Sequence, residues 1–191
     1  DGTVSVTSTE STNGYICSAP DDYGTSYYYR GNVDNNYVKF AGFYWRILRV
    51  NGDGSIRMIY AGDADTIDAL PNKEEVLKNG YNDGSTDYTQ IGTSAYNSSY
   101  NDNAYVGYMY GTTGASSYNE THANINNSTI KTRVDEWYEE NIKDTEYEQY
   151  ISDTLFCNDR SLDSGTGAGT NSTYYNEANT GTGGVNLKCT Q

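Results

Sequence analysis

Aliphatic residues are scarce in this chain. Ile, Leu, Val and Phe together number 28 of 191 residues, about 15%, below the ~20% at which a strongly charged chain reads as disordered. Basic residues are few as well: 12 Lys and Arg stand against 26 Asp and Glu, for a net charge of −14. A nucleic acid would be repelled by that balance, and the sequence has no basic stripe to receive one. No apolar run approaches the ~20 residues needed to span a bilayer as a helix. Proline occurs twice, histidine once and cysteine three times. A single imidazole and the lack of any C-x2-C spacing exclude a zinc site. What replaces the aliphatics is tyrosine, with 21 Tyr beside 2 Trp. Each such ring buries about 150–250 Å², so a core remains within reach. The length suits one domain, or one and a small appendage.

Asn, Ser, Thr, Tyr and Gly dominate, Lys numbers six, and charged residues make up 20%. This composition points to a secreted or bacterial cell-surface protein. In such an oxidising compartment Cys157 pairs with Cys189, closing a Gly/Thr/Ser-rich loop of about 30 residues worth roughly 3–4 kcal/mol in chain entropy. Cys17 is then left as a free thiol or a link to another chain. Three buried, reduced cysteines are the alternative.

Residues 1–14 alternate Val and Thr with polar positions and read as an extended arm. The division expected is an arm over 1–24 and a single α+β domain over 25–191. Residues 15–36 read as turn-rich. The clearest β signal is Tyr37–Phe40, Phe43–Val50 and Ser55–Tyr60, the last two joined by Asn51-Gly52-Asp53-Gly54 as a hairpin. Bulky residues on both faces place this hairpin centrally. Asp68–Gly80 reads as a short helix capped by Asp68, with Pro71 in its first turn. Residues 81–128 have little regular structure. Ile130, Val134, Trp137, Tyr138 and Ile142 form one apolar stripe on a long amphipathic helix over Thr129–Lys143, capped by Asn127 or Ser128. A short second helix capped by Asp144, a buried strand at Thr154–Cys157, a loop over Ser161–Gly184 and a closing Val185–Cys189 complete the chain. The fold class expected is therefore α+β, a central antiparallel sheet with one long helix and long Tyr/Asn/Gly-rich loops.

Three stretches carry a resemblance: Tyr29–Tyr60 (YRGNVDNNYVKFAGFYWRILRVNGDGSIRMIY), Asn97–Gly111 (NSSYNDNAYVGYMYG) and Ser128–Ser161 (STIKTRVDEWYEENIKDTEYEQYISDTLFCNDRS). They resemble a family of surface proteins from low-GC Gram-positive gut bacteria, some of whose members follow prepilin-type N-termini. The order G-x-x-W-R-I-L, a helix with W-Y, then a Cys-containing strand is also similar to C-type-lectin and formylglycine-generating-enzyme folds. The likeness runs from Tyr27 to Gln191. In the family the domain continues past Lys188–Gln191 into a Trp/Tyr-rich stretch and a closing strand. The resemblance thus implies a lectin-like fold that is incomplete here, either cut near Gln191 or completed by a second chain.

Catalysis finds little to stand on. His122, the one imidazole, sits in a polar stretch where a solvent-facing or backbone-bonded histidine is the default. The cysteines do not match the pair that formylglycine-generating enzymes use. Glu136, Glu139 and Glu140 form a solvated helix face, with Lys143 in pairing range. Asp63–Asp68 begins like a calcium loop but has Ile67 at a ligand position and no Gly at the sixth. No cofactor is implied, and a weak Ca²⁺ site stays open with no residues to assign to it. The tyrosines remain. Tyr81, Tyr88, Tyr96, Tyr100, Tyr105, Tyr108 and Tyr110 crowd a segment too polar to bury them all, and Tyr is a rigid, amphipathic contact residue. Tyr96, Tyr100, Tyr105, Tyr108 and Tyr110 are the candidate ligand-binding residues, with core filling as the competing use of the same rings. The function expected is a non-enzymatic adhesin or binding module that takes a glycan or a host or neighbouring protein. The alternative is a subunit of an extracellular filament or pilus that binds copies of itself through its N-terminal arm.

Overall fold

The computed structural model describes residues 14–31, 33, 35–79, 89–153 and 160–175. Of the sequence expectations, residues 1–13 of the arm expected over 1–24, the strand at Thr154–Cys157, the closing Val185–Cys189 and the Cys157–Cys189 bridge lie outside them. The chain is α+β with antiparallel sheets and few helices. Its described residues fall into two compact units. The first holds the residues up to Gly92 with 149–152; the second holds Thr93–Glu148, Asp153 and 160–175.

Unit 1 is a five-stranded sheet of β1 (Tyr15–Pro20), β2 (Thr25–Arg30), β3 (Tyr37–Phe40), β4 (Phe43–Val50) and β5 (Ile56–Asp63). The eight-residue β4 is central. β2 pairs with its C-terminal end, β3 with its N-terminal end, and β5 along its other edge. Residues 15–30 are a strand hairpin, not a turn-rich stretch, with Cys17 opposite Tyr28. The Tyr27–Tyr29 run hides the alternation, because tyrosine serves both a covered and an open face. The β3–β4 turn has both central residues, Ala41 and Gly42, at positive φ, the mirror-image geometry that suits strand twist. The Asn51–Ser55 turn closes as expected, with the Asn51 N–H donating to the Ser55 carbonyl at 2.8 Å. Asp21 ties the two turns at this end together: its carboxylate accepts from Ser26 Oγ at 2.6 Å, Tyr23 N at 2.8 Å and Gly52 N at 2.9 Å. The Ser26 hydroxyl, foremost of these donors, helps hold that carboxyl well below the usual carboxylate range.

The helix expected over 68–80 begins later, as α2 (Lys73–Asn79), and Asp68, expected as its cap, is instead the last residue of a preceding helix, α1 (Ala64–Asp68). Asp63 is the cap of α1, accepting from Thr66 N at 2.8 Å, and Asp68 ends it. Asp63–Asp68 is thus a capped helix rather than the start of a cation loop. Asp68 is held by Lys39, by Lys73 at 2.9 Å and by the Tyr44 hydroxyl at 2.7 Å, and chiefly through Lys39 its carboxyl stays far below the ordinary value. Tyr44, Ala61, Ala64, Ile67 and Leu77 form the core between sheet and helices. The opposite face carries Phe43, Trp45 and Tyr60 with ring centroids 5.7–6.4 Å apart, Trp45 edge-on to both of the others and Phe43 tilted against Tyr60. Trp45 Nε1 donates to the Phe40 carbonyl at 2.9 Å.

Unit 2 has less regular structure. Its elements are β6 (Met109–Tyr110), α3 (Tyr118–Thr121), β7 (Asn126–Asn127), α4 (Thr129–Asn141), β8 (Leu162–Ser164) and β9 (Tyr174–Tyr175). β6 pairs with β7 and β8 with β9, both antiparallel. The stretch after Ser161, expected as a loop, therefore contains a small hairpin. Ser128 caps α4 by accepting from Lys131 N at 3.1 Å. The Glu136–Glu140 face is solvated, with Lys143 on Glu139 at 3.0 Å. None of α4's own residues is fully buried; its C-cap Ile142 is. No helix among the described residues is long and apolar enough to cross a membrane.

Candidate functional site

The five candidate tyrosines lie in unit 2, and the structure sorts them. Tyr96 and Tyr108 meet edge to face at 5.9 Å, and Tyr105 and Tyr110 do so at 5.4 Å. Tyr100 belongs to neither pair and is 96% exposed. Tyr96 and Tyr108 are about half exposed (45% and 51%), whereas Tyr105 and Tyr110 are partly buried. Tyr81 and Tyr88 lie outside the described residues. The segment therefore splits its rings: one pair serves packing, while the other pair and Tyr100 stay open to solvent.

The start of α4 fixes the exposed pair. A helix leaves its first N–H groups without intrahelical partners. Here Thr129 N donates to Asn97 Oδ1 at 3.3 Å and Ile130 N to the Tyr96 carbonyl at 3.1 Å. Ser128 N donates to the Tyr108 carbonyl at 2.9 Å. Two tyrosines twelve positions apart are thereby sewn to one helix terminus. Asp102 orders the inner pair: its carboxylate accepts from Ala104 N at 2.8 Å and Gly114 N at 2.7 Å, setting the 3₁₀ turn Asn103–Tyr105. Asn103 Nδ2 in turn donates to the carbonyls of Gly169 at 2.9 Å and Asn171 at 2.8 Å. Each side chain answers an otherwise orphaned backbone group in a region short of ladders. The energetic benefit of such preordering is that a ligand need not freeze the loop itself.

His122 is buried, not solvent-facing. It packs on Tyr118 with centroids 4.4 Å apart, and its Nε2 shares a 3.1 Å hydrogen bond with the Tyr175 hydroxyl. Arg160 braces the same region, donating to the Met109 carbonyl and to Asn124 Oδ1 while its own carbonyl accepts from Tyr118. Burial pushes the Tyr175 phenol up to about 12. Burial first, then the Arg160 cation, lowers the His122 pKa below 6.5, outweighing the Gly167 backbone and the Asp102 carboxylate. The sign follows from linkage. Below about pH 6.5 the unfolded chain takes up a proton that the folded one refuses, so stability is full above that pH and falls beneath it. The urea midpoint of unit 2 should therefore drop between pH 7 and pH 5.5. In His122→Phe, which keeps a ring against Tyr118, that drop should shrink; an equal drop in both proteins would refute the assignment.

This His122–Tyr118–Tyr175 cluster escaped the sequence reading. Its members are up to 57 positions apart, and no local spacing announces such a contact. Among the described residues, no three His, Cys, Asp or Glu side chains converge as a metal site. Cys17 is a buried free thiol. Compared with family models, curated proteins and solved structures, the chain matches none.

Proposed function

We propose that the chain is a non-enzymatic binding module of a bacterial surface, with a lectin-like fold, and that Tyr96, Tyr108 and Tyr100 grip the ligand by stacking and hydrogen bonding. The observation that carries this reading is the exposed Tyr96–Tyr108 pair, whose backbone is tied to the start of α4. Exposed, preordered phenols suit the alternating apolar and hydroxylated faces of a sugar, and a chain of net charge −14 suits a neutral ligand gripped without charge. Tyr105 and Tyr110, partly buried and packed on each other, serve the packing of the segment instead. The resemblance to surface proteins of gut bacteria belongs to the same proposal.

The test is retention on immobilised neutral oligosaccharides. Tyr100→Ala and Tyr108→Ala should each weaken binding about tenfold or more, the scale of an anchor residue. Tyr100→Ala should leave the unfolding midpoint unchanged, because that ring is almost wholly in solvent. Full retention by both variants would remove the reading. One observation favours a filament subunit instead: among the described residues β1 lies at the edge of its sheet, where an added strand could pair. Concentration-dependent assembly in sedimentation, without retention on any glycan, would move the conclusion there.

A further inference from the structure

Segments 108–112 and 120–128 of unit 2 run side by side. The backbone N–H groups of Gly111, Thr112, Ile125 and Ser128 donate across the gap to the carbonyls of Thr121, Glu120, Tyr110 and Tyr108, each at 2.8–2.9 Å. Asn126 Nδ2 adds a bond to the Gly111 carbonyl at 2.8 Å. The two segments touch so closely that a methyl at Gly111 would lie 1.9 Å from the Glu120 carbonyl oxygen and 2.7 Å from Ala123 N. Thr121 and Ser128, on the second segment, have no exposed surface. Residues 120–123 therefore cannot shift without carrying 110–112 along. At the far end of this ladder stand Tyr108 and the start of α4, the seat of the exposed tyrosine pair.

His122 lies in the tight part of the ladder, 6% exposed, and several elements meet on its ring. Tyr118 of α3 packs against it, and Tyr175 of β9 holds Nε2. Tyr175 Oη also lies 3.2 Å from Asn103 Oδ1, an oxygen that can only accept. One proton arrangement satisfies this chain: Nε2–H donates to the phenol, and the phenol donates to Asn103. Nδ1 is then a bare lone pair, buried and without a partner. A proton added there creates a buried, charged donor with no acceptor.

Nothing around the ring offsets that charge. The Arg160 cation opposes it and is fixed in place by its bonds to the Met109 carbonyl at 3.2 Å and Asn124 Oδ1 at 3.0 Å. The Asp102 carboxylate favours it but is committed to Ala104 N and Gly114 N. The Gly167 backbone favours it too, without a hydrogen bond to either ring nitrogen. Glu120, two positions away, is exposed and accepts from the Ser117 hydroxyl. Tyr118 and Tyr175 supply rings and a hydroxyl, not a carboxylate.

We propose that His122 is an acid-sensitive latch on the tyrosine surface: when its ring takes up a proton, the ladder opens at residues 120–123, Tyr108 loses its seat beside Tyr96, and ligand held near neutral pH is released in acid. The inference rests on the reading of Tyr96 and Tyr108 as ligand contacts. The closed ladder refuses the proton and the open one accepts it at about pH 6.5, so acid favours the open form. From pH 7 to pH 5 the ratio of open to closed rises about 25-fold. A ladder open in about 4% of molecules at pH 7 is then open in about half of them at pH 5. The event is local, and α4 keeps its own hydrogen bonds through it.

The experiment follows the whole chain by NMR from about pH 7 to about pH 5, reading the His122 Cε1–H and the amides of Gly111, Ile125 and Ser128. Retention on immobilised neutral oligosaccharide is measured at the same pH values. The ring and the three amides should share one midpoint below about pH 6.5, with the α4 amides from Trp137 onward unmoved. Retention should weaken at least about twofold by pH 5. His122→Phe, which keeps a ring on Tyr118 and cannot titrate, should show neither change. Amides that stay put while the ring titrates overturn the proposal, as do amides and retention that respond equally in wild type and His122→Phe. Collapse of the α4 resonances at the same midpoint overturns it as well, because the event is then unfolding and not a latch. If the variant fails to fold, the wild-type midpoints decide alone. Coincident midpoints in a chain that no glycan column retains at any pH support the latch and count against the ligand reading alone.

Discussion

Alanine at Gly111 should destabilise unit 2 by upwards of about 3 kcal/mol, a loss seen for single residues only where packing has no room to yield. Gly111 is buried, its N–H donates to the Thr121 carbonyl at 2.8 Å, and its carbonyl accepts from Asn126 Nδ2 at 2.8 Å. A Cβ there would fall 1.9 Å from the Glu120 carbonyl oxygen and 2.7 Å from Ala123 N. Both obstacles are backbone, so no rotamer change relieves them. The chain at the end of β6 would have to leave the turn that carries His122, taking Tyr110 with it. Gly114 provides the comparison. A Cβ at that site meets nothing within 4 Å, though its φ is +72°, so Gly114→Ala should cost about 1 kcal/mol through backbone strain alone. Urea midpoints of the two variants measure the difference, and similar midpoints would show that the Gly111 contact is not as tight as drawn.

Ile67→Ala should cost unit 1 about 3 kcal/mol, within the usual range for emptying a fully buried aliphatic site. Ile67 has no exposed surface, and its partners are Tyr44, Ala61, Ala64 and Leu77. Two of those are already alanines and have no side chain with which to fill a void. Tyr44 is held by its hydrogen bond to Asp68 and cannot swing inward without breaking it. Domains of this kind have only about 5–15 kcal/mol in total, so the loss should appear as a large fall in the unfolding midpoint. Ile59→Ala, at a position on β5 more than half exposed, should shift the midpoint by less than about 0.5 kcal/mol. Equal shifts would place the core elsewhere.

The sheet was legible where local chemistry agreed with tertiary structure. Asn51–Gly54 reads as a turn from its glycines, and β4 and β5 on either side are aromatic and β-branched. Ser128 reads as a cap because a hydroxyl just before an apolar stripe serves the first N–H groups of a helix. The β1–β2 hairpin was hidden by a run of three tyrosines that shows no period. The break between α1 and α2 was hidden because Asp63 and Asp68 are equally good caps in isolation. Lys39, Lys73 and Tyr44, drawn in from other elements, hold Asp68 where it is, and that choice has no trace in neighbouring residues. At the candidate site, the tyrosine list was legible but its division was not. Spacing cannot tell that Tyr96 and Tyr108 face out on a stitched helix start while Tyr105 and Tyr110 turn in. On β4 a one-residue register shift between Ile47 and Arg49 sets Arg49 opposite Arg57 on β5, which side-chain alternation along the strand would have missed by a full face.

The partition into two units has a spectroscopic corollary. Of the chain's two indoles, Trp45 lies on β4 in the first unit and Trp137 on α4 in the second. Trp45 is boxed by Phe43 and Tyr60 and hydrogen-bonded through its N–H, so its emission should be sensitive to loss of that surrounding. Trp137→Phe leaves a protein whose fluorescence reports the first unit alone, and Trp45→Phe one that reports the second. Comparing their melting curves distinguishes a single cooperative transition from two. Evolution has in effect placed one optical probe in each half, and no label need be added to watch them separately.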